Sequence, residues 1–197
     1  AMPKMFQIGS DRVMDSTAAL ELPDVPESLL VVGGGYIGLE MAEAFVQRGL
    51  ATTLVERADH LMPSLDADVA APLADALGGL GVDVRLGTGL EAVEDGAVQA
   101  GGERLPADLV VLGLGVRPNA ELAAEAGLGT GVNGAVRVDR RQRTTAEGVW
   151  AAGDCCESHH LVAGVPVHIA LGTVANKQGR VAGINIAGGY AAFPGAL

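Results

Sequence analysis

Aromatic side chains are scarce in this chain: three Phe, two Tyr and one Trp make up 3% of 197 residues, so any core must be assembled from Ala, Val and Leu. Cysteine is scarcer. The two present, Cys155 and Cys156, are adjacent and give no disulfide framework, which fits a reducing, cytoplasmic setting. Basic residues are outnumbered, with 13 Lys and Arg against 24 Asp and Glu. The resulting net charge of −11 argues against nucleic acid or an anionic membrane as partner, since either would meet like charge. Long apolar runs are missing as well: the most hydrophobic stretch is interrupted by glycines, Glu40 and Glu43, so neither a spanning helix nor a secretory leader is expected. What the chain has in quantity is glycine, 29 residues, within a composition that is 49% hydrophobic and therefore globular. Its length accommodates one ordinary domain and part of another.

The chain is organised around Leu29-Leu30-Val31-Val32-Gly33-Gly34-Gly35-Tyr36-Ile37-Gly38-Leu39-Glu40. A short apolar run meets three glycines and then continues with helical character, which reads as strand, phosphate-binding turn and helix. Gly33, Gly35 and Gly38 fall on the G-x-G-x-x-G spacing. The first allows a tight turn, the second lets backbone approach a pyrophosphate, and the third lets helix pack on strand. The helix, expected over residues 36–48, would point its free N–H groups and positive dipole end at the phosphates, with Ile37 in its first turn. Gly49 ends it, and Ala51-Thr52-Thr53-Leu54-Val55 supplies the second strand of a βαβ unit of about 30 residues. Glu56 follows that strand, where a carboxylate accepts from both ribose hydroxyls of an adenosine and repels a 2′-phosphate. Its neighbour Arg57 could accept such a phosphate; adenine stacking or solvation is its expected use. Gly129, Gly131 and Gly134 repeat the glycine spacing, but behind a helical stretch and ahead of a strand, so they read as a loop.

Residues 1–22 show no strong period, and Ala1-Met2 has the look of a cloning scar. Asp15-Ser16-Thr17 is expected to cap a short helix running to Leu22, and Pro23 and Pro26 punctuate a linker. Residues 65–80 carry Val69, Pro72, Leu73, Leu77 and Leu80 at helical spacing, with Asp66 and Asp68 at the N-terminal end. A strand over residues 82–86 follows. Short β-like pieces separated by Asp95-Gly96 and Gly101-Gly102 then form a meander. A buried strand over residues 107–114, a turn at Gly115-Val116-Arg117-Pro118-Asn119 and a helix over residues 120–126 come next. Residues 135–138 and 149–152 are expected as the last strands, and residues 172–187 as the last helix. The order predicts an α/β fold: a Rossmann-like three-layer domain with an inserted antiparallel β-meander.

Three segments taken together resemble the flavin-dependent pyridine nucleotide-disulfide oxidoreductases: Val32 to Glu40, then Gly113-Leu114-Gly115-Val116-Arg117-Pro118-Asn119, then Ala151-Ala152-Gly153-Asp154. The tail from His168 to Arg180 is most similar to the coenzyme A disulfide reductase and NADH oxidase branch, whereas Asp15 to Leu22 also resembles dihydrolipoamide dehydrogenases. The resemblance implies that residues 1–25 end a first FAD-domain segment, 26–147 form an NAD-binding domain, and 148–197 are an incomplete returning FAD segment. The N-terminal FAD fingerprint and the redox cysteine would lie upstream of residue 1, no C-x-x-C or S-x-x-x-C occurs, and Phe6 to Ser10 match the family turn only loosely. The chain is therefore expected to be a fragment, inactive by itself.

The resemblance also implies roles. Tyr36, on the plain reading a packing aromatic, would cover the flavin, and Glu40 would lie near the nicotinamide amide. Gly115 would let backbone approach the cofactor. Asp154, otherwise a turn cap, would bind the ribityl chain of FAD, with Gly172 and Thr173 near the isoalloxazine. The implied activity passes hydride from NADH to FAD and on to a disulfide, sulfenate or dioxygen acceptor, in an intact enzyme that is a homodimer acting on a small molecule or small disulfide. Rival readings are a dihydrolipoamide dehydrogenase-like or ferredoxin reductase-like enzyme, or a non-catalytic NADH-binding module. No residue here is expected to be the catalytic nucleophile. Cys155 and Cys156 read as structural thiols, because a disulfide between adjacent residues strains its ring, and His159 and His160 read as a solvated loop without zinc-site spacing. The apolar side of residues 167–186 is expected to lack its natural sheet.

Overall fold

A computed structural model describes residues 11–197, so the readings of Ala1-Met2 and of Phe6 to Ser10 lie outside the described residues. The chain forms two compact units, one ending at Gly115 and one running Val116–Leu197. That division falls before Glu147, where the sequence suggested a boundary.

The first unit is a five-stranded parallel sheet in the order β1-β8-β2-β3-β4, formed by β1 (Val13–Asp15), β2 (Ser28–Val32), β3 (Ala51–Val55), β4 (Asp83–Arg85) and β8 (Leu109–Leu112). A separate antiparallel meander of β5 (Leu90–Glu94), β6 (Ala97–Ala100) and β7 (Glu103–Pro106) turns at the expected glycines. Successive side chains of a strand point to opposite faces, and here both faces are covered. Leu30 and Val32 of β2, with Val110 and Leu112 of β8, pack beneath Val98, Ala100 and Leu105 of the meander. Leu29 and Val31, with Leu54 and Val111, pack under the helices α2 (Tyr36–Gln47) and α3 (Ala67–Leu80) through Ala42 and Leu77. This is why β2 and β8 read as unbroken apolar runs, and the three-layer expectation holds.

Several local expectations are corrected. β1 carries no periodic signal; it is a strand because Val13 to Asp15 align with Val110 to Leu112. The helix capped by Asp15, whose carboxylate accepts from Ala18 N–H at 2.9 Å, is a single turn, α1 (Ser16–Ala19), which stops short of Leu22. In α3 the buried stripe is Ala70, Leu73, Ala74 and Leu77, an i, i+3, i+4, i+7 set, while Val69, Pro72 and Leu80 face outward. Small alanines do not stand out in a sequence pattern, yet they let the helix lie close to the sheet. At the far end of the sheet from the glycine turn, Ser28 and Asp108 tie the starts of β2 and β8. Ser28 Oγ–H and N–H both donate to Asp108 Oδ2, at 2.8 and 2.9 Å, and hold that carboxyl below the usual range.

The second unit contains α4 (Glu121–Glu125), a 3-10 turn (Val132–Gly134), the hairpin β9 (Ser158–His159) and β10 (Pro166–Val167), and α5 (Gly172–Ile186). Residues 135–138 and 149–152 are not strands: they contribute only single bridges, Val136 to Thr130 and Cys156, and Trp150 to Arg143. His159 lies in β9 and His160 is half-buried, with Nδ1 accepting from Val162 and Ala163 N–H, so the pair is not a solvated loop. Gly129, Gly131 and Gly134 form the loop expected of them. The side of α5 turned inward is Val174, Gln178, Ala182 and Asn185, so it is half amide. Among the described residues, no helix is long and apolar enough to cross a membrane.

Candidate functional site

Strand order reverses between β2 and β8: from β2 the chain proceeds outward to β3 and β4, then returns to β8 on the other side. Open α/β sheets bind ligands at the carboxyl ends of the strands beside such a reversal. Gly33 follows β2 there and Gly113 follows β8, with Gly33 N–H donating to Val55 O and Gly113 N–H to Val32 O.

The glycines of the turn divide into those required by the protein and one that is not. A Cβ on Gly33, whose φ is +110°, would stand 2.5 Å from Gly113 O. On Gly38, a Cβ would overlap Gly33 O, and on Gly113 it would come within 3.0 Å of Gly38 Cα. These three glycines therefore pack on one another, seating the first turn of α2 against the ends of β2 and β8. Gly35 differs, because nothing lies within 4 Å of its Cβ position. It caps α2 with extended backbone (φ −78°, ψ 176°) and no capping side chain. The first intrahelical bond of α2 is donated by Leu39 N–H to the cap carbonyl, Gly35 O, at 3.0 Å. N–H groups ahead of that bond have no intrahelical acceptor and sit at the positive end of the dipole. The Cβ side of Gly35 is thus open and lies at the electropositive end of α2, which suits a pyrophosphate.

Tyr36 and Ile37, half-buried, begin α2; Glu40 is exposed one turn on, and Gly115 is exposed at φ +83° past the end of β8. Glu56, half-buried beyond β3, accepts at Oε2 from Gly34 N–H at 2.6 Å and at Oε1 from Ala58 N–H at 2.7 Å. Arg57 is exposed. The structure therefore gathers Gly33, Gly35, Tyr36, Ile37, Gly38, Glu56 and Gly115 at the carboxyl edge of one sheet. Gly34 and Gly113 were not singled out by spacing. Their signal is a glycine at a variable position of the motif and a glycine ending a buried strand.

Asp154, Gly172 and Thr173 belong to the second unit. Gly153, at φ +86°, lies against Ala175 in the first turn of α5, which Gly172 and Thr173 begin, and the adjacent Asp154 O is 2.8 Å from His168 Nε2. Gln178 is 1% exposed and anchors this junction: its Oε1 accepts from Gly153 N–H at 2.9 Å and from Cys156 Sγ–H, and its Nε2 donates to Glu157 O. Both cysteines are free thiols. Burial, reinforced by Cys155, Glu157 and Asp154 nearby, pushes the Cys156 thiol up to about 12, so it is protonated and unreactive at neutral pH. A hollow of about 1120 Å³ in the same unit, lined by Thr130, Arg137, Trp150 and Glu157, contains none of Asp154, Gly172 and Thr173.

The family model for pyridine nucleotide-disulphide oxidoreductases matches residues 2–179. A CoA-dependent NAD(P)H sulfur oxidoreductase of Pyrococcus abyssi is 41% identical over 178 residues, covering 87% of this chain and 39% of that protein. A dihydrolipoyl dehydrogenase of Haloferax volcanii is 35% identical over 199 residues, covering 95% of this chain and 40% of that protein. Among solved structures, an NAD-dependent persulfide reductase from A. fulgidus superposes with a TM-score of 0.91 at 38% identity, over all of this chain and 39% of that one. The chain thus spans about two fifths of the length of these relatives. With the motif order, the sheet topology and the glycine packing in agreement, the chain belongs to the pyridine nucleotide-disulphide oxidoreductase family.

Proposed function

We propose that this chain is the NAD(H)-binding portion, together with an incomplete FAD-binding portion, of an oxidoreductase that passes hydride from NADH to FAD and on to a small disulfide, sulfenate or dioxygen acceptor. The observation that carries the reading is the contrast at the glycine turn: Gly33, Gly38 and Gly113 are closed against one another, while Gly35 opens on space at the N-terminus of α2. On this reading the N–H groups of Gly35, Tyr36, Ile37 and Gly38 face the pyrophosphate, Glu56 takes the adenosine ribose, and Glu40, Tyr36 and Gly115 border the nicotinamide half. Asp154, Gly172 and Thr173 hold the ribityl and isoalloxazine portions of FAD. The protein positions both cofactors and excludes water, and the cofactors supply the hydride chemistry.

The acceptor class is suggested by the names of the sulfur and persulfide reductases above. The dihydrolipoyl dehydrogenase match keeps as the alternative a dihydrolipoyl-type dithiol as electron donor, oxidised to its disulfide while FAD passes the electrons to NAD+. The intact protein is proposed to be a cytoplasmic homodimer, a setting in which Cys155 and Cys156 stay reduced. Titration of the chain with NADH, followed by calorimetry, tests the reading: saturable one-to-one binding lost in Gly35→Ala supports it, and absence of binding by a folded chain overturns it.

A further inference from the structure

Three consecutive glycines make the most conformationally free tripeptide a chain can place at a binding site, and a ligand that orders them bears that entropic cost. Here the middle glycine is held from outside the turn. Gly34 N–H donates to Glu56 Oε2 at 2.6 Å, and Gly34 O accepts from Met62 N–H at 2.7 Å, so both polar groups of the residue are taken by the segment that follows β3. Met62 presents that N–H from a left-handed backbone, φ 49°, and Leu61, 1% exposed, fills the space over Gly34. A Cβ on Gly34 would stand 2.7 Å from Leu61 Cδ2 and 3.1 Å from Glu56 Cβ. Gly34 is a glycine because of this segment and not because of a ligand.

We propose that Glu56, Leu61 and Met62 form a clamp on Gly34 that presets the glycine turn for the pyrophosphate, a positioning role that rests on the nucleotide-binding reading above. Glu56 then serves two ends of one site. Each carboxylate oxygen has two acceptor positions, and one on each is used by Gly34 or Ala58. The remaining positions are left for ribose hydroxyls. Contact at the ribose and order at the phosphate turn are thereby coupled, since a change at Glu56 disturbs both. Leu61 separates the two effects, because it packs on the turn yet carries no group that can distinguish a ribose hydroxyl from a 2′-phosphate.

The test compares wild type with Leu61→Ala, Leu61→Met and Glu56→Gln in the full chain, by residue-resolved amide hydrogen exchange without ligand and by NADH and NADPH titration. In Leu61→Ala the Gly34 amide should exchange about tenfold faster while β2 and β8 amides stay protected. NADH affinity should fall about tenfold with the NADH to NADPH ratio unchanged, and Leu61→Met should restore both. Should Leu61→Ala lose protection throughout β2 and β8, Leu61→Met and Glu56→Gln decide, and Glu56→Gln is expected to speed the Gly34 amide alone. Unchanged Gly34 exchange in every folded variant would show there is no clamp. Faster exchange with undiminished affinity would overturn its presetting role. A wild-type chain that binds neither nucleotide would remove the nucleotide reading and with it the presetting role, and the exchange data would still decide whether the clamp exists.

Discussion

The carboxylate of Glu56, at the end of β3, accepts a hydrogen bond from the backbone N–H of Gly34, in the turn after β2, at 2.6 Å. The two residues are joined because β2 and β3 run in parallel register, Val32 opposite Val55, so their carboxyl ends emerge side by side. A charged acceptor on a backbone donor is stronger than a neutral pair, so the end of β3 holds the turn after β2.

Glu56 should make the chain prefer NADH to NADPH. Placing its carboxylate against a dianionic phosphate costs about 1–2 kcal/mol, which corresponds to about tenfold in affinity. Parallel titrations should show that ratio in wild type and a smaller one in Glu56→Ala; equal affinity in wild type would mean that Arg57 offsets Glu56, and a preference that survives the substitution would show that Glu56 is not its cause.

Gly35→Ala and Gly38→Ala should fail in opposite ways. Space is open at the Cβ of Gly35, so Gly35→Ala should melt near the wild-type temperature but lose NADH binding. In Gly38→Ala the methyl group overlaps Gly33 O, backbone that cannot yield cheaply, and overpacking of this kind costs about 1–3 kcal/mol or more. Thermal melts read beside calorimetry separate the two, and equal destabilisation by both would contradict the division of roles.

Gln178→Ala should destabilise the second unit by about 2 kcal/mol, because it removes a fully buried amide and strips the partner from the half-buried Gly153 N–H. Urea unfolding followed by the fluorescence of Trp150, the single tryptophan and a residue of that unit, measures it. A loss below about 0.5 kcal/mol would mean that water replaces the amide, as it does at exposed hydrogen bonds.

Cys156 should resist alkylation at pH 8 in the folded chain and react at an ordinary rate in urea. Its folded pKa lies above the reference value of 9.0, at about 12, so the folded state favours the protonated thiol. The stability linked to this group is complete below the unfolded pKa and is lost as pH rises from 9 towards 12. Stability measured across that interval should decline less in Cys156→Ala than in wild type, and rapid labelling of the native thiol would refute its burial.

The parts of this protein legible in its sequence are those whose cause is local. Residues 29–40 announce strand, turn and helix because apolar run, glycine spacing and helical period lie within one short segment, and the meander is readable because its turns are Asp95-Gly96 and Gly101-Gly102. Long-range pairing decided the rest. Val13 to Asp15 is a strand only because β8 accepts it as an edge, and residues 135–138 and 149–152, equally β-like in composition, make only single bridges. At the candidate site, G-x-G-x-x-G spacing and Glu56 could be read directly, but not which glycine serves the protein and which faces a ligand. That distinction depends on the atoms brought against each Cβ position: Gly113 against Gly33 and Gly38, Leu61 against Gly34, and none against Gly35. A linear pattern records where side chains are missing, and only the packing of distant segments determines what occupies the space they leave.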